Sequence, residues 1–568
     1  MTNASRINSI FDRIEAGPLT PTWISVLPRE RALAHAETEG PLKGLTFAVK
    51  DNIDVEGMPT TAACPDFAYR PEVSATVVRQ LEESGAVLIG KTNMDQFATG
   101  LVGTRTPYGA CSSVYNPAYI SGGSSSGSAV AVAQGLVDFA LGTDTAGSGR
   151  VPAAFNGLIG LKPTCGLLST SGVVPACRTL DCVSIFSKTC ATAAAVLAAT
   201  RRFDPEDPFS RTSRPGEGAA PWLAAGDPFR FGVPAADQLE FFGDTGAAEL
   251  YAQAVSRLEG LGGTKVEIDF SVFRSAAELL YSGPWVAERL AAIRKFVHHS
   301  SGAMDPVVRG IIQGGARFTA VDTFESQYRL KELCAEAEAA WAQMDVLFLP
   351  TTGTIYTHEE IAANPVQLNT NLGYYTNFVN LMDLAALAVP AGLRPNGLPF
   401  GVTFIGPAFS EEALLALGAL FTGESATVPA PTGCVPVAVV GAHLSGQPLN
   451  WQLTTRGARL MRAAKTASGY RLYALPGTVP PKPGLVRDPE FSGPGIELEI
   501  WAVPTDRFGS FVAEVPAPLG IGTATLDDGQ TVKCFICEPF AIPGATEITH
   551  FGGWRGYIRS LQTEALKW

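Results

Sequence analysis

Three short segments gather residue types that can carry out acyl chemistry together. Phe47-Ala48-Val49-Lys50-Asp51-Asn52-Ile53 ends an apolar run on a lysine, and Gly122-Gly123-Ser124-Ser125-Ser126-Gly127-Ser128 is a Gly/Ser turn. Asp144-Thr145-Ala146-Gly147-Ser148-Gly149-Arg150 is a second such turn. A lysine at the inner end of a buried strand has its charged form disfavoured by desolvation, so its pKa falls and the neutral amine can act as a base. A serine hydroxyl is a poor nucleophile until such a base takes its proton. Glycine-rich turns let the backbone come close and aim N–H groups at a developing oxyanion. Taken singly, each segment is ordinary structure: such turns are usually only turns, and a strand-end lysine usually snorkels to solvent. Lys91 also ends a strand, so spacing and burial leave both Lys50 and Lys91 open as the base.

Two other motifs compete. Gly85-Ala86-Val87-Leu88-Ile89-Gly90-Lys91-Thr92 fits the phosphate-binding pattern G-x-x-x-x-G-K-T. That pattern needs a loop whose N–H groups wrap phosphate, whereas the middle residues here are apolar, β-prone and read as a strand. Gly123-Ser124-Ser125-Ser126-Gly127 fits the nucleophile elbow G-x-S-x-G, centred on Ser125. An elbow follows a strand and calls on a downstream histidine such as His298, His358, His443 or His550. The segment before it, 112–121, is polar and not strand-like, so the context is wrong.

The elements that must position these residues follow from periodicity. Strands are expected at Leu45–Val49, Ala86–Ile89 and Leu136–Leu141, and helices at Ser74–Ser84 and from about Ser126. Later come helices at Ala247–Leu261 and Thr323–Gln343, with strands at Lys265–Ile268, Asp345–Leu349, Ala386–Val389 and Phe400–Ile405. The alternation indicates an α/β sheet protein. Residues 204–228 read as an exposed excursion rich in Pro, Gly, Asp and Ser, and 423–433 as a linker. Beyond it, Val435–Val440, Glu497–Val503 and Thr531–Ile536 read as strands of a smaller α+β domain. The expected organisation is therefore a domain over 1–422, a linker over 423–433 and a second domain over 434–568.

With 568 residues, 46% of them hydrophobic and only 17% charged, there is material for large cores and roughly two to four domains. A net charge of -12 argues against a nucleic-acid partner, though one or two arginines can still hold a small anion. The polar start and the interrupted apolar runs predict a cytoplasmic protein without a membrane span. The ten cysteines are scattered and read as reduced thiols; Cys534 and Cys537 have no second pair with which to hold zinc, and no metal or cofactor is expected.

Together, the order and spacing of the three segments resemble the amidase signature family over about Gly44–Gly166, and the likeness extends to roughly residue 420. The resemblance implies a mixed β-sheet flanked by helices, and a triad of Lys50 as base, Ser124 as relay and Ser148 as nucleophile. It also implies a cis peptide before Ser124, an oxyanion hole of N–H groups in Thr145, Ala146, Gly147 and Ser148, and substrate contact at Gly122 and Gly123. This likeness is what chooses Lys50 over Lys91, whose segment matches a supporting one. Ala146 departs from a common glycine, which would matter if the position needs a positive φ.

Two further stretches resemble the allophanate hydrolases within that family. In Tyr281-Ser282-Gly283-Pro284-Trp285-Val286-Ala287-Glu288-Arg289, Tyr281 and Arg289 match residues that hold the small anionic urea derivative. The tail from Val439 through His443 to Asn450 matches the start of their C-terminal domain, whose fold is γ-glutamylcyclotransferase-like. There His443 matches a position credited with decarboxylating the first product. The resemblance implies hydrolysis of allophanate to ammonia and carbon dioxide, a separate urea carboxylase as functional partner, s-triazine degradation as a second setting, and a homodimer.

Overall fold

A computed structural model describes residues 2–17, 20–212, 229–424 and 434–565. Most of the expected linker (425–433) and much of the expected excursion (213–228) lie outside the described residues. The described residues fall into two compact units, one ending at Glu424 and one beginning at Cys434. Among the described residues no helix is long and apolar enough to cross a membrane.

The first unit is built on an eleven-stranded mixed sheet. Its strands are β1 (Trp23–Val26), β2 (Thr46–Lys50), β3 (Val87–Thr92), β4 (Phe139–Asp144), β5 (Ile159–Lys162), β6 (Cys182–Ser187), β7 (Phe229–Pro234), β8 (Gly263–Ile268), β9 (Val346–Pro350), β10 (Ala385–Leu393) and β11 (Pro399–Gly406). Their order across the sheet is β1-β3-β2-β4-β6-β5-β10-β11-β9-β7-β8. Parallel pairs form at β2–β3, β2–β4, β7–β8 and β7–β9, and the remaining neighbours are antiparallel. Every residue of β2, β3 and β4 is buried, as expected where both faces of a parallel segment are covered. Phe47 and Phe139 stack across β2 and β4 with ring centroids 5.4 Å apart.

Helix Ser126–Ala133 covers this part of the sheet with small side chains, which let it lie close. At Gly127 the approach is closest: a Cβ there would stand 2.4 Å from the Thr22 carbonyl oxygen and 2.6 Å from the Asn93 nitrogen. Helix Thr76–Glu83 leads into β3, and the G-x-x-x-x-G-K-T match lies on this strand, as its apolar middle residues indicate, with Val87–Thr92 all in the ladder. No phosphate cradle exists there.

The second unit has a five-stranded sheet in the order β13-β16-β12-β18-β17 and a three-stranded one, β15-β14-β19. The strands are β12 (Cys434–Val439), β13 (Arg459–Lys465), β14 (Tyr470–Ala474), β15 (Pro483–Arg487), β16 (Glu497–Pro504), β17 (Leu519–Thr525), β18 (Thr531–Cys537) and β19 (Thr546–Glu547). It has its own apolar core, in which Val437, Val439, Leu472, Ile500, Trp501 and Trp554 are among the buried side chains.

Candidate active site

The carboxyl ends of β2, β3 and β4 lie side by side and carry Lys50, Thr92 and Asp144, at the end of a parallel sheet segment where ligands gather. Lys50 Nζ lies 2.7 Å from Ser124 Oγ and 2.8 Å from Thr143 Oγ1, and Ser124 Oγ lies 2.9 Å from Ser148 Oγ. The peptide bond between Gly123 and Ser124 is cis. Lys50 and Ser124 are fully buried and Ser148 is 2% exposed. Burial pushes the Lys50 pKa down to about 7, against the charges of Asp95, Asp181 and Asp144, which raise it. An amine with this pKa is about half neutral near pH 7, so it can take a proton through Ser124 and free Ser148 to attack a carbonyl.

The pleat of the sheet separates the two lysines that the residues alone left open. Lys50 stands opposite Thr92, and Lys91 opposite Val49, so their side chains leave on opposite faces. Lys91 Nζ is 3.3 Å from Asp51 Oδ1 and donates to Thr60 Oγ1 at 2.7 Å and to the Pro59 carbonyl at 3.0 Å, with no serine in reach. Nor does Ser125 have a histidine beside it: its hydroxyl donates to the Thr143 carbonyl at 3.1 Å and accepts the Thr143 N–H at 3.3 Å.

The loop that presents Ser148 is held by a buried ion pair. Arg150 donates Nε and Nη2 to the two oxygens of Asp144 at 2.9 and 3.0 Å, and the same carboxylate accepts the N–H groups of Gly147 and Gly149, both at 2.9 Å. Burial alone would raise the Asp144 pKa, but the Arg150 charge and these donors hold it below the ordinary carboxylate value. This geometry bears on the four N–H groups expected in the oxyanion hole. The Gly147 N–H is spent on Asp144, while among the described residues those of Thr145, Ala146 and Ser148 donate to no acceptor. The positive φ falls on Gly147, at +129°, so alanine at 146 is unstrained. A Cβ at Gly147 would stand 2.5 Å from Thr376 Oγ1.

Gly122 and Gly123 lead into the cis peptide and pack tightly, Gly122 against Pro152 and Gly123 against Asp95 and Gly103. Helix Ser271–Ser282 breaks at Gly283 and Pro284, and helix Trp285–Ser300 follows. Across this break Tyr281 and Trp285 pack with Ala146 and Cys177, which brings Arg289 into the electrostatic surroundings of Lys50. Arg289 is 3% exposed. Its guanidinium donates only to neutral groups, the Ala98 carbonyl at 3.3 Å and Thr99 Oγ1 at 3.2 Å, and lies 3.5 Å from the Tyr281 hydroxyl. No carboxylate among the described residues forms a salt bridge with it.

In the second unit, considered by itself, His443 lines a cavity of about 140 Å³ with Gln452, Lys482, Glu514 and Phe535. Its ring stacks on Phe535, centroids 4.9 Å apart, and its Nε2 is 2.7 Å from Gln452 Oε1. Burial lowers its pKa, which keeps the ring neutral at pH 7. Among the described residues no group of three or more His, Cys, Asp or Glu side chains is placed to hold a metal ion, and all ten cysteines are free.

The sequence reading missed several residues that shape the first site. Thr143 is the second hydroxyl against Lys50, and Asn380 donates to the Asp144 carbonyl at 2.8 Å and accepts from Arg150. Asp95 accepts the N–H groups of Gly103 and Arg105 at 2.9 Å, and its own N–H donates to the Ser124 carbonyl. Asp144 and Arg150 stand at the two ends of the Ser148 turn, Asp95 lies four residues beyond Lys91, and Thr143 and Asn380 carry no local signal.

Comparison with known proteins agrees with this construction. Residues 19–415 match the family described as Amidase, and residues 435–559 match the allophanate hydrolase C-terminal domain. A urea amidolyase of Lachancea kluyveri is 44% identical over 98% of this chain, which covers 32% of that protein. The chain therefore spans about a third of the length of that relative. One component of the glutamyl-tRNA(Gln) amidotransferase of Natronomonas pharaonis is 34% identical over 67% of this chain and 95% of its own. Among solved structures, an allophanate hydrolase of Kluyveromyces lactis superposes with a TM-score of 0.77 at 42% identity, covering 99% of this chain and 97% of that one.

The Asp144–Arg150 pair gives a direct test of what holds the nucleophile loop. Replacing Arg150 with alanine strands a buried carboxylate and should cost about 3–5 kcal/mol, read as a lower urea midpoint. An unchanged midpoint would mean that the loop is held by something else.

Proposed function

The chain belongs to the amidase family, and from that premise we propose that it hydrolyses allophanate, the N-carboxylate of urea. Lys50 is the base, Ser124 the relay and Ser148 the nucleophile. The observation that carries the choice of substrate is Arg289: a buried guanidinium whose hydrogen bonds, among the described residues, go only to neutral groups, with the charges of Asp181 and Glu288 acting on it from a distance. A buried charge with no carboxylate in contact is costly, so such a site favours a substrate that brings an anion. Arginine offers a planar fork that matches a carboxylate, and the Tyr281 hydroxyl adds a donor beside it. Allophanate carries its carboxylate one nitrogen away from the ureido carbonyl, so Arg289 would hold the anion while Ser148 meets the carbonyl. The likeness to the Kluyveromyces lactis allophanate hydrolase over nearly both whole chains supports the same reading.

In the proposed cycle, neutral Lys50 takes the Ser124 proton as Ser124 takes that of Ser148. Ser148 Oγ attacks the ureido carbon, and the oxyanion is met by N–H groups of Thr145, Ala146 and Ser148. The C–N bond breaks, the proton returns through the relay to the leaving nitrogen, and ammonia departs. Water, activated by the same relay, then cleaves the acyl-enzyme to release N-carboxycarbamate. In the second unit, His443, Gln452 and Lys482 line a cavity in which this product would lose carbon dioxide; the carbamate that remains breaks down to ammonia and a second carbon dioxide. Urea must first be carboxylated, so a urea carboxylase activity would supply the substrate.

Ammonia release from allophanate, malonamate and acetamide tests the substrate. Allophanate should be strongly preferred, and Ser148→Ala should lower its turnover by about 10³-fold or more. Arg289→Ala should lower kcat/KM for allophanate by about 10²-fold while changing acetamide turnover little. Turnover of acetamide with none of allophanate would leave a general small-amide amidase instead.

The base has a pH signature. Below its pKa Lys50 is protonated and cannot accept a proton, so kcat/KM should rise with pH through about 7 and then level off. A profile flat across that point would remove Lys50 as the base. For the second unit, His443→Ala should leave the first ammonia release unchanged and slow the appearance of carbon dioxide. An unchanged ratio of the two early rates would make His443 structural.

A further inference from the structure

Asp181 immediately precedes β6 and is buried beside the nucleophile loop. Its Oδ1 accepts the Thr145 hydroxyl at 2.5 Å and the Cys177 N–H at 3.2 Å, and its Oδ2 accepts the Ala176 N–H at 2.8 Å. Among the described residues no cation forms a salt bridge with it. A buried carboxylate whose hydrogen bonds come from two backbone groups and one hydroxyl, with the Arg289 charge acting on it only from a distance, is costly, and it is an odd choice for filling space. Its neighbour Thr145 opens the loop, and the Thr145 N–H is one of those left without an acceptor. The two residues on either side are tied as well. Asp144 is clamped by Arg150, and the Ala146 carbonyl accepts the Thr376 hydroxyl at 2.7 Å. Three consecutive residues are thus each fixed by a different side chain, and Asp181 supplies the middle tie. On its other side Asp181 borders a polar cavity of about 130 Å³, lined also by Thr170, Arg178 and Asp207.

We propose that Asp181 is a positioning residue: anchored on the N–H groups of Ala176 and Cys177, its carboxylate holds the Thr145 side chain and so aims the Thr145 N–H at the carbonyl oxygen of the bound amide. Fixing the hydroxyl pins Cβ and Cα of Thr145 and so restrains the peptide plane that carries its N–H, a donor that needs hydrogen-bond geometry only when the oxyanion forms. Such a donor acts on the transition state more than on substrate binding. The inference rests on the reading of Ser148 as nucleophile but not on the identity of the amide.

The test compares wild type with Asp181→Asn, Thr145→Val, Thr145→Ser and the double variant Asp181→Asn/Thr145→Val. One readout is the rate at which a fluorophosphonate labels Ser148, because its phosphoryl oxygen occupies the place of the oxyanion. The other is the split between kcat and KM on allophanate. Both are measured well above pH 7, where Lys50 is neutral in every variant. Asp181→Asn and Thr145→Val should each slow labelling and lower kcat by about 10–100-fold, with KM nearly unchanged. Thr145→Ser, which keeps the hydroxyl, should stay close to wild type. The double variant should be no worse than the poorer single one, because both changes remove the same tie. Losses that multiply, losses confined to KM, or Thr145→Ser as slow as Thr145→Val would overturn the proposal. If Asp181→Asn does not fold, the contrast between Thr145→Ser and Thr145→Val decides alone. Wild type unlabelled at Ser148 would instead sink the underlying nucleophile assignment, whereas labelled wild type with unaffected variants sinks only the role of Asp181.

Discussion

The site depends on keeping one amine dry. Lys50 sits at the end of a strand covered on both faces, and its nearest partners are the hydroxyls of Ser124 and Thr143, with no carboxylate in contact. A carboxylate in contact would hold the proton on, and open solvent would do the same. The small residues of helix Ser126–Ala133 and the packed glycines before Ser124 follow from this requirement, because they bring backbone close enough to exclude water.

The first unit buries several cations and treats each differently. Arg150 is matched by a two-pronged contact with Asp144, and Lys91 by Asp51. Lys162 rests on the carbonyls of Pro163 and Leu384 at 2.6 and 2.8 Å. Lys50 is driven toward its neutral form by burial. Arg289 cannot lose its proton, and among the described residues its hydrogen bonds go only to neutral groups. The paired cations hold structure together. Lys50 and Arg289, neither in contact with a carboxylate, are those assigned to chemistry and to recognition.

Much of this was legible in the sequence, and the errors have a common cause. The apolar runs place β2, β3 and β4, but periodicity ends β3 at Ile89 and β4 at Leu141, short of the observed Thr92 and Asp144. The end of β4 is polar because Thr143 and Asp144 serve the site, and the end of β3 because Lys91 and Thr92 bond Asp51 and Ser128, so hydrophobicity stops before either strand does. The start of β4 is displaced for the converse reason: Leu136 and Val137 are apolar yet belong to the turn after the helix, where the Leu136 N–H bonds to the Ala131 carbonyl. The insertion of β6 between β4 and β5 is a long-range choice that no local window contains. Glycine-rich motifs marked Ser124 and Ser148. They could not show that Asp144 would consume the Gly147 N–H, nor that Asp181, a lone acid in the run Thr179-Leu180-Asp181-Cys182, would turn toward Thr145.

The groups proposed to react all lie between Lys50 and Ser148, whereas Arg289 and Tyr281, proposed to hold the substrate, come from a pair of helices more than a hundred residues further on, joined at Gly283 and Pro284. This separation matters for how such a protein can change over generations. Substitutions in the helix pair can trade one acyl group for another without disturbing the buried lysine. Drift in the lysine pocket, by contrast, costs every substrate at once. Inheritance is therefore conservative in one part of the fold and free to experiment in the other, and new diets can arise on old chemistry.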